Sequence, residues 1–271
     1  LAEAMSARSY HTMTPVQEAV LEIEQPDADL IVSAQTGSGK TLAFGLSIAK
    51  TLLQENTEFS RPKLPVALII APTRELALQV RKELEWVYVR TKAQFASCVG
   101  GMDPRSERRT LESGTHIVVG TPGRLRDHIE RGALRLPDIK AGVLDEADEM
   151  LDMGFREDLT FILEKAPVSR RTLLFSATVP SQIAKLARTY QKEAIRISVS
   201  SKKTQHLDIS YHAMKIQPSD RDKAIINLLR YHDVSGAIVF CNTRAAVTHL
   251  ASRLNNRGFS VVALSGELSQ K

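Results

Sequence analysis

The chain has 271 residues, 43% of them hydrophobic and 25% charged, a balance that supports a buried core and excludes collagen-like, fibrous and disordered classes. Lysine plus arginine outnumber aspartate plus glutamate 36 to 31, a formal charge of +5, which suits a polyanionic partner and equally a mildly basic enzyme. Cys98 and Cys241 are too few for a disulfide framework or a cysteine-rich zinc site and point to a reducing, cytoplasmic setting; no run reaches the roughly 18 apolar residues of a membrane span, so no membrane partner is expected.

In chain order, short β-branched runs alternate with longer amphipathic stretches, the pattern of parallel βαβ units. Strands are expected at residues 29–33, 67–70, 117–120, 142–145 and 172–176. Between the first two, residues 41–53 place Leu42, Leu46, Ala49 and Leu53 on one helical face. The expected fold class is therefore α/β, a mostly parallel sheet with helices on both faces, over residues 1–200. Around residues 198–204 the chain turns small and polar, Ser-Val-Ser-Ser-Lys-Lys-Thr, and a linker is placed at 201–207. Beyond it, strands are expected at 209–214, 237–241 and 260–264 and helices at 223–231 and 245–255. A domain of the first kind takes about 100–150 residues, so residues 208–271 read as an incomplete second one.

Ala34-Gln35-Thr36-Gly37-Ser38-Gly39-Lys40-Thr41, followed by Leu42, stands directly after a strand and before a helix. That is the context of a phosphate-binding loop. Small residues let successive backbone N–H groups turn toward phosphate, and the helix N-terminus adds a favourable field. Lys40 would reach the terminal phosphates, and the Thr41 hydroxyl would meet Mg²⁺. The usual pattern opens on glycine; Ala34 in that place implies that no positive φ is needed there.

Asp145-Glu146-Ala147-Asp148 follows the apolar run 141–144, at the carboxyl edge where ligands gather in open α/β sheets. Asp145 is the candidate for holding Mg²⁺, largely through water, and Glu146 for orienting or deprotonating an attacking water. Alone, such a cluster is also an ordinary helix cap. The upstream phosphate loop favours the catalytic reading, with Lys40, Asp145 and Glu146 as the catalytic set.

Asp145 to Asp148 spells D-E-A-D. The phosphate loop, Pro72-Thr73-Arg74-Glu75-Leu76-Ala77, Gly100-Gly101, Thr121-Pro122-Gly123-Arg124 and Ser176-Ala177-Thr178 occur in an order that resembles the helicase core of the DEAD-box family of RNA-dependent ATPases. The resemblance implies a RecA-like P-loop domain, ATP and Mg²⁺ as cofactors, and RNA and ATP/ADP as partners. Tyr10 and Thr14-Pro15-Val16-Gln17 resemble the family's adenine-reading segment, with Gln17 on the base edge and Tyr10 stacked on the ring. The resemblance assigns Pro72, Thr73, Arg74, Gly101, Thr121, Pro122, Gly123, Arg124 and Asp127 to the RNA backbone. By residue type alone, Arg74 and Arg124 fit phosphates or salt bridges to acids such as Glu75 and Asp127 equally well. Asp148, Ser176 and Thr178 resemble the motif that couples the acidic turn to domain closure.

Residues 239–244, Val-Phe-Cys-Asn-Thr-Arg, and 264–270, Leu-Ser-Gly-Glu-Leu-Ser-Gln, resemble the opening motifs of the second RecA-like domain. The family's later arginine-rich motifs do not occur in these 271 residues. The chain by itself is therefore expected to bind ATP or ADP and turn it over weakly, since an arginine finger is worth about 10³–10⁵ in rate. Seven histidines in no ligand spacing argue against a metal other than Mg²⁺, and Trp86 reads as helix packing. Two alternatives to a helicase core stand beside this reading: a non-hydrolytic ATP-gated RNA clamp or scaffold, and a DNA translocase.

Overall fold

The computed structural model describes residues 1–10, 12–199 and 210–265. The chain divides into two compact units, Leu1–Lys203 and Thr204–Lys271. The expected linker at 201–207 lies outside the described residues, as do residue 209 and residues 266–270.

The first unit runs α1 (Ala2–Ser6), α2 (Pro15–Leu21), β1 (Leu30–Ser33), α3 (Lys40–Leu53), β2 (Ala67–Ile70), α4 (Arg74–Val87), β3 (Phe95–Cys98) and α5 (Pro104–Glu112). It continues with β4 (Ile117–Gly120), α6 (Pro122–Glu130), β5 (Ala141–Leu144), α7 (Ala147–Asp152), α8 (Arg156–Lys165), β6 (Arg171–Ser176), α9 (Ser181–Tyr190) and β7 (Ile195–Ser198). The strands form one seven-stranded sheet in the order β3-β4-β2-β5-β6-β1-β7, and every neighbouring pair is parallel. This is the expected α/β sheet, with an unanticipated strand added at each edge. Phe-Ala-Ser-Cys of β3 contains no β-branched residue, and Ile-Arg-Ile-Ser of β7 alternates half-buried with exposed positions because β1 is its one neighbour. Neither edge carries the apolar run that marks a strand buried on both faces.

Alternate side chains of the central strands feed two cores. Leu30, Val32, Ile69, Val119, Val143 and Phe175 pack under α2, α3 and α4. On the opposite face Leu68, Ile70, Val118, Leu144 and Leu174 pack under α6, α7, α8 and α9 through Leu125, Met150, Leu159, Ile162 and Ile183. Burial of each such side chain contributes about 1.5–3 kcal/mol. The chain therefore commits the C-terminal ends of β1, β2, β4, β5 and β6 to one edge, and the loops leaving that edge carry the motifs.

At the opposite edge, buried Asp29 accepts the N–H of Thr172 at 2.6 Å and of Lys192 at 2.7 Å, joining the starts of β1 and β6 to the approach of β7.

In the second unit, α10 (Arg221–His232) and α11 (Arg244–Asn255) pack on one another through Ile226, Leu250 and Leu254, close to the expected helices. The expected strands at 237–241 and 260–264, and the described part of the one at 209–214, are not strands here. A strand is defined by a laddered neighbour, and these segments have none among the described residues. Several of their apolar side chains stay in water, Phe240 91% exposed and Val262 84%, while Cys241 and Val261 pack against the α10–α11 cluster.

Candidate active site

The phosphate loop leaves β1 and enters α3 through Gly37 and Gly39, both at positive φ, 80° and 87°. The φ of Gly39 favours glycine, and a Cβ there would stand 2.6 Å from Gln17 Nε2 and push that amide aside. Ala34 has no positive φ, consistent with the reading of that position, and its N–H donates to the Ser176 carbonyl at 3.1 Å. Lys40 is buried at the first turn of α3; its Nζ donates to the Ala34 carbonyl at 3.3 Å and to Glu146 Oε1 at 2.9 Å. Thr36 Oγ1 donates to the same carboxylate oxygen at 3.0 Å. The loop is thus closed onto the acidic turn.

One strand, β6, separates β1 from β5, and the acidic turn hangs from the end of β5. Asp145 is 2% exposed, and its Oδ1 accepts the N–H of Glu146 at 3.1 Å. Burial pushes the Asp145 carboxyl up to about 7; Lys40 opposes that rise and Glu146 adds to it. Glu146 adopts the left-handed conformation (φ 52°, ψ 51°) at the N-cap of α7, an uncommon geometry for a side chain with a Cβ and a sign of a functional turn.

Asp148 connects this turn to β6. Its N–H donates to Ser176 Oγ at 3.3 Å, and its Oδ2 accepts the Thr178 N–H at 2.9 Å and the Thr178 hydroxyl at 2.8 Å. Burial works against its charge, but the Ser176 and Thr178 hydroxyls and the Thr178 N–H outweigh that and hold its carboxyl below the usual range. The three coupling residues expected from sequence are therefore joined. Asp148 Oδ1 is buried with no hydrogen-bond partner among the described residues.

The donor set fits Mg²⁺. Buried Asp145 supplies a hard oxygen at the sheet edge, Thr41 lies beside Lys40 at the start of α3, and no cluster of three or more His, Cys, Asp or Glu is suited to a metal among the described residues. Mg²⁺ is commonly held by one or two protein oxygens, waters and nucleotide phosphates, without a closed protein cage.

Gln17 and Tyr10, the amide and ring expected to meet adenine, both have protein neighbours. Gln17 is 2% exposed; its Nε2 donates to the Gly39 carbonyl at 3.3 Å and its Oε1 accepts the Thr14 N–H at 2.9 Å, while Thr14 Oγ1 donates to the Ser38 carbonyl at 2.8 Å. Each end of the amide makes one bond to the protein and keeps one further donor or lone pair, so Gln17 braces the phosphate loop from α2 with hydrogen-bonding capacity left over. Tyr10 stacks on Trp86 with ring centroids 5.5 Å apart, and Arg8 lies 4.7 Å from that indole centroid. An indole thus occupies one side of the ring expected to meet adenine.

The loops after β2, β3 and β4 form the neighbouring part of the same edge. Pro72 is buried, and Thr73 Oγ1 accepts the Leu76 N–H at 3.2 Å, so this hydroxyl caps α4. Arg74 Nη1 lies 2.6 Å from where a Cβ on Gly101 would stand, which brings the first two RNA-assigned segments together, and the φ of 77° at position 101 favours glycine. The Thr121 N–H donates to the Cys98 carbonyl at 3.0 Å, Pro122 is buried, and Gly123 is exposed at the start of α6. Asp127 pairs with Arg131 at 2.6 Å on the α6 surface.

Arg124 makes the salt bridge that its residue type allowed, with an acid that sequence reading passed over. Its Nη1 meets Glu107 Oε2 at 3.0 Å and donates to the Met102 carbonyl at 3.3 Å. Glu107 also accepts from Val99 N–H at 2.8 Å and faces His128 Nε2 at 2.8 Å. In sequence Glu107 looks like a solvated first-turn acid of α5; the one available signal is its isolation from the exposed positions around it by the helical period.

A phosphate loop and an acidic turn on strands separated by one other strand define the class: a P-loop nucleotide-binding protein with a RecA-like parallel sheet. A family model described as DEAD/DEAH box helicase matches residues 14–186. The DEAD-box ATP-dependent RNA helicase CshA of Geobacillus kaustophilus is 38% identical over 268 residues, covering 99% of this chain and 56% of the relative. The protein of that name from Bacillus subtilis is 36% identical over 270 residues, covering 100% of this chain and 53% of the relative. The crystal structure of a DEAD box protein from the hyperthermophile Methanococcus jannaschii superposes with a TM-score of 0.67 at 35% identity, covering 98% of this chain and 70% of the other. The chain belongs to the DEAD/DEAH box helicase family. It spans about half the length of the curated relatives it matches.

Proposed function

We propose that the chain carries the ATP-binding part of an ATP-dependent RNA helicase, in which RNA-stimulated ATP hydrolysis drives local duplex unwinding or remodelling of RNA–protein complexes. The observation that carries this reading is the closure of Lys40 onto Glu146 beside the Asp148–Ser176–Thr178 bonds, on the same sheet edge as Thr73, Arg74, Gly101, Thr121 and Gly123. The relatives' printed activity supports it.

Entering phosphates compete with Glu146 for Lys40. Lys40 then pairs with phosphate, and the released Glu146 carboxylate is free to orient water and take its proton. Mg²⁺, held by Thr41 and Asp145 largely through water, would supply charge neutralisation on the phosphates. Loss of the Glu146 contact also frees Thr36, so nucleotide occupancy is felt along Asp148 and Ser176 toward β6. The RNA-facing groups are mostly backbone and hydroxyl, which position a strand without reading bases.

Residues 208–271 belong to this reading as the opening part of a second RecA-like domain, supported by the order of α10 and α11. A cytoplasmic setting is supported by two unpaired cysteines, Cys98 and Cys241, and no helix among the described residues is long and apolar enough to cross a membrane.

The test is steady-state ATP hydrolysis with no nucleic acid, with single-stranded RNA and with DNA of the same sequence, using Lys40→Ala as the blank and a C-terminally extended chain as the reference. RNA-selective stimulation in the extended chain, with weak turnover by the 271 residues alone, is expected. Equal stimulation by DNA would replace RNA with a general strand translocase. ATP-dependent RNA binding with full biological activity in Glu146→Gln would replace hydrolysis with a clamp.

A further inference from the structure

We propose that Glu107 is a positioning residue for the strand-binding edge, acting through Arg124; the proposal rests on the RNA reading above. Glu107 sits on the inner side of α5, and its side chain is 3% exposed. A carboxylate so buried is costly unless its oxygens are occupied. Here they are: Oε1 accepts the Val99 N–H at 2.8 Å, and Oε2 faces Arg124 Nη1 at 3.0 Å and His128 Nε2 at 2.8 Å. One side chain therefore joins three segments that reach the edge separately: the end of β3 before Gly100-Gly101, the first turn of α6, and α5 itself.

The consequence lies in Arg124. An exposed arginine loses its rotamer freedom when a phosphate immobilises it. Arg124 has already lost most of that freedom, because both Glu107 and the Met102 carbonyl hold its Nη1 and its side chain is only 16% exposed. A guanidinium so fixed offers its remaining N–H groups to a phosphate at a lower ordering cost. The same carboxylate holds the Val99 N–H, and with it the turn that brings Gly101 beside Arg74. The residues read as nucleotide-binding are separate: Lys40, Asp145 and Glu146 make no hydrogen bond or ion pair with Glu107 among the described residues.

Glu107→Ala, Glu107→Gln, Arg124→Ala and the Glu107→Ala/Arg124→Ala double variant would be compared in the C-terminally extended chain. Binding of a fluorescein-labelled single-stranded RNA would be followed by anisotropy in the presence of a non-hydrolysable ATP analogue, and binding of a fluorescent ADP in its absence. Glu107→Ala is expected to weaken RNA binding roughly tenfold, the scale of one lost charge-assisted contact, and to leave ADP affinity unchanged. Glu107→Gln keeps an acceptor for Val99, protects against misfolding of the alanine variant, and is expected to fall between Glu107→Ala and the parent. In the Arg124→Ala background, Glu107→Ala should cost less than it does in the parent, because the part of its effect that runs through Arg124 is already gone. Parental RNA affinity in Glu107→Gln and Glu107→Ala, or additive losses in the double variant, would overturn the positioning role while leaving the RNA reading intact. Failure of the unaltered chain to bind RNA would overturn both.

Discussion

Lys40 holds Glu146 by a pair that is nearly out of solvent, with side-chain exposures of 6% and 10%. Removing one partner of such a pair leaves the other uncompensated, so Lys40→Ala is expected to destabilise the empty protein by about 3 kcal/mol in urea melts, in addition to abolishing ATP turnover. Glu146→Gln keeps an oxygen for Thr36 and Lys40. It should bind ATP and lose about 10²–10⁴ in hydrolysis rate, the range of a general base, in a phosphate-release assay. Asp145 gives a pH signature. Its folded carboxyl is raised from 3.8 to about 7, chiefly by burial, so between these values the unfolded chain is ionised while the folded one keeps its proton. Stability from this group therefore falls as pH rises from about 4 to about 7 and is level above that. Asp145→Asn removes the term, so its melting temperature relative to the parent should climb across that window; a constant difference would contradict it. Most of these residues were legible, because phosphate chemistry needs a lysine, a hydroxyl and a carboxylate at fixed offsets from a strand. Glu107 was not, because its role depends on which helix face turns inward and on Arg124 and His128 arriving from another element.

At the scale of elements, α2 and the phosphate loop behave as one piece. Thr14 and Gln17 reach the carbonyls of Ser38 and Gly39, and a Cβ on Gly39 would meet the Gln17 amide. Gly39→Ala should cost about 1–3 kcal/mol from backbone strain, before any cost of displacing Gln17, and reduce nucleotide affinity; titration with fluorescent ADP and a thermal melt check both. At the far edge, Asp29→Ala strips the acceptors from the Thr172 and Lys192 N–H groups. A loss of about 2–4 kcal/mol is expected, with faster hydrogen exchange over β7 first. The central strands were readable as apolar runs because both faces are buried. β3 and β7 were not, since an edge strand is specified by the neighbour it pairs with and needs little apolar sequence of its own. Gln17 shows a related limit: an amide's type announces that it will both donate and accept, but not that two of its bonds go to the backbone of Thr14 and Gly39.

The two units differ in how far their sequences are fulfilled. In the first, every strand expected from sequence has laddered partners and two cores form. In the second, the helices form as expected but Ile238, Phe240, Val262 and Leu264 remain 79–91% exposed. Amphipathic helices declare themselves locally, whereas strands require other strands. Residues 1–199 alone are accordingly expected to keep the nucleotide affinity of the 271-residue chain within about twofold, and to show less concentration-dependent association in sedimentation, because exposed apolar segments invite it. Equal association by both chains would place the sticky surface in the first unit. The Trp86–Tyr10 stack carries a practical consequence of another kind. Trp86 is the sole tryptophan of the chain, capped by Tyr10 and Arg8 from the segment that leads into α2. Its intrinsic emission is thus a native optical gauge of whether that N-terminal segment is docked, readable without any label while nucleotide is added or withdrawn.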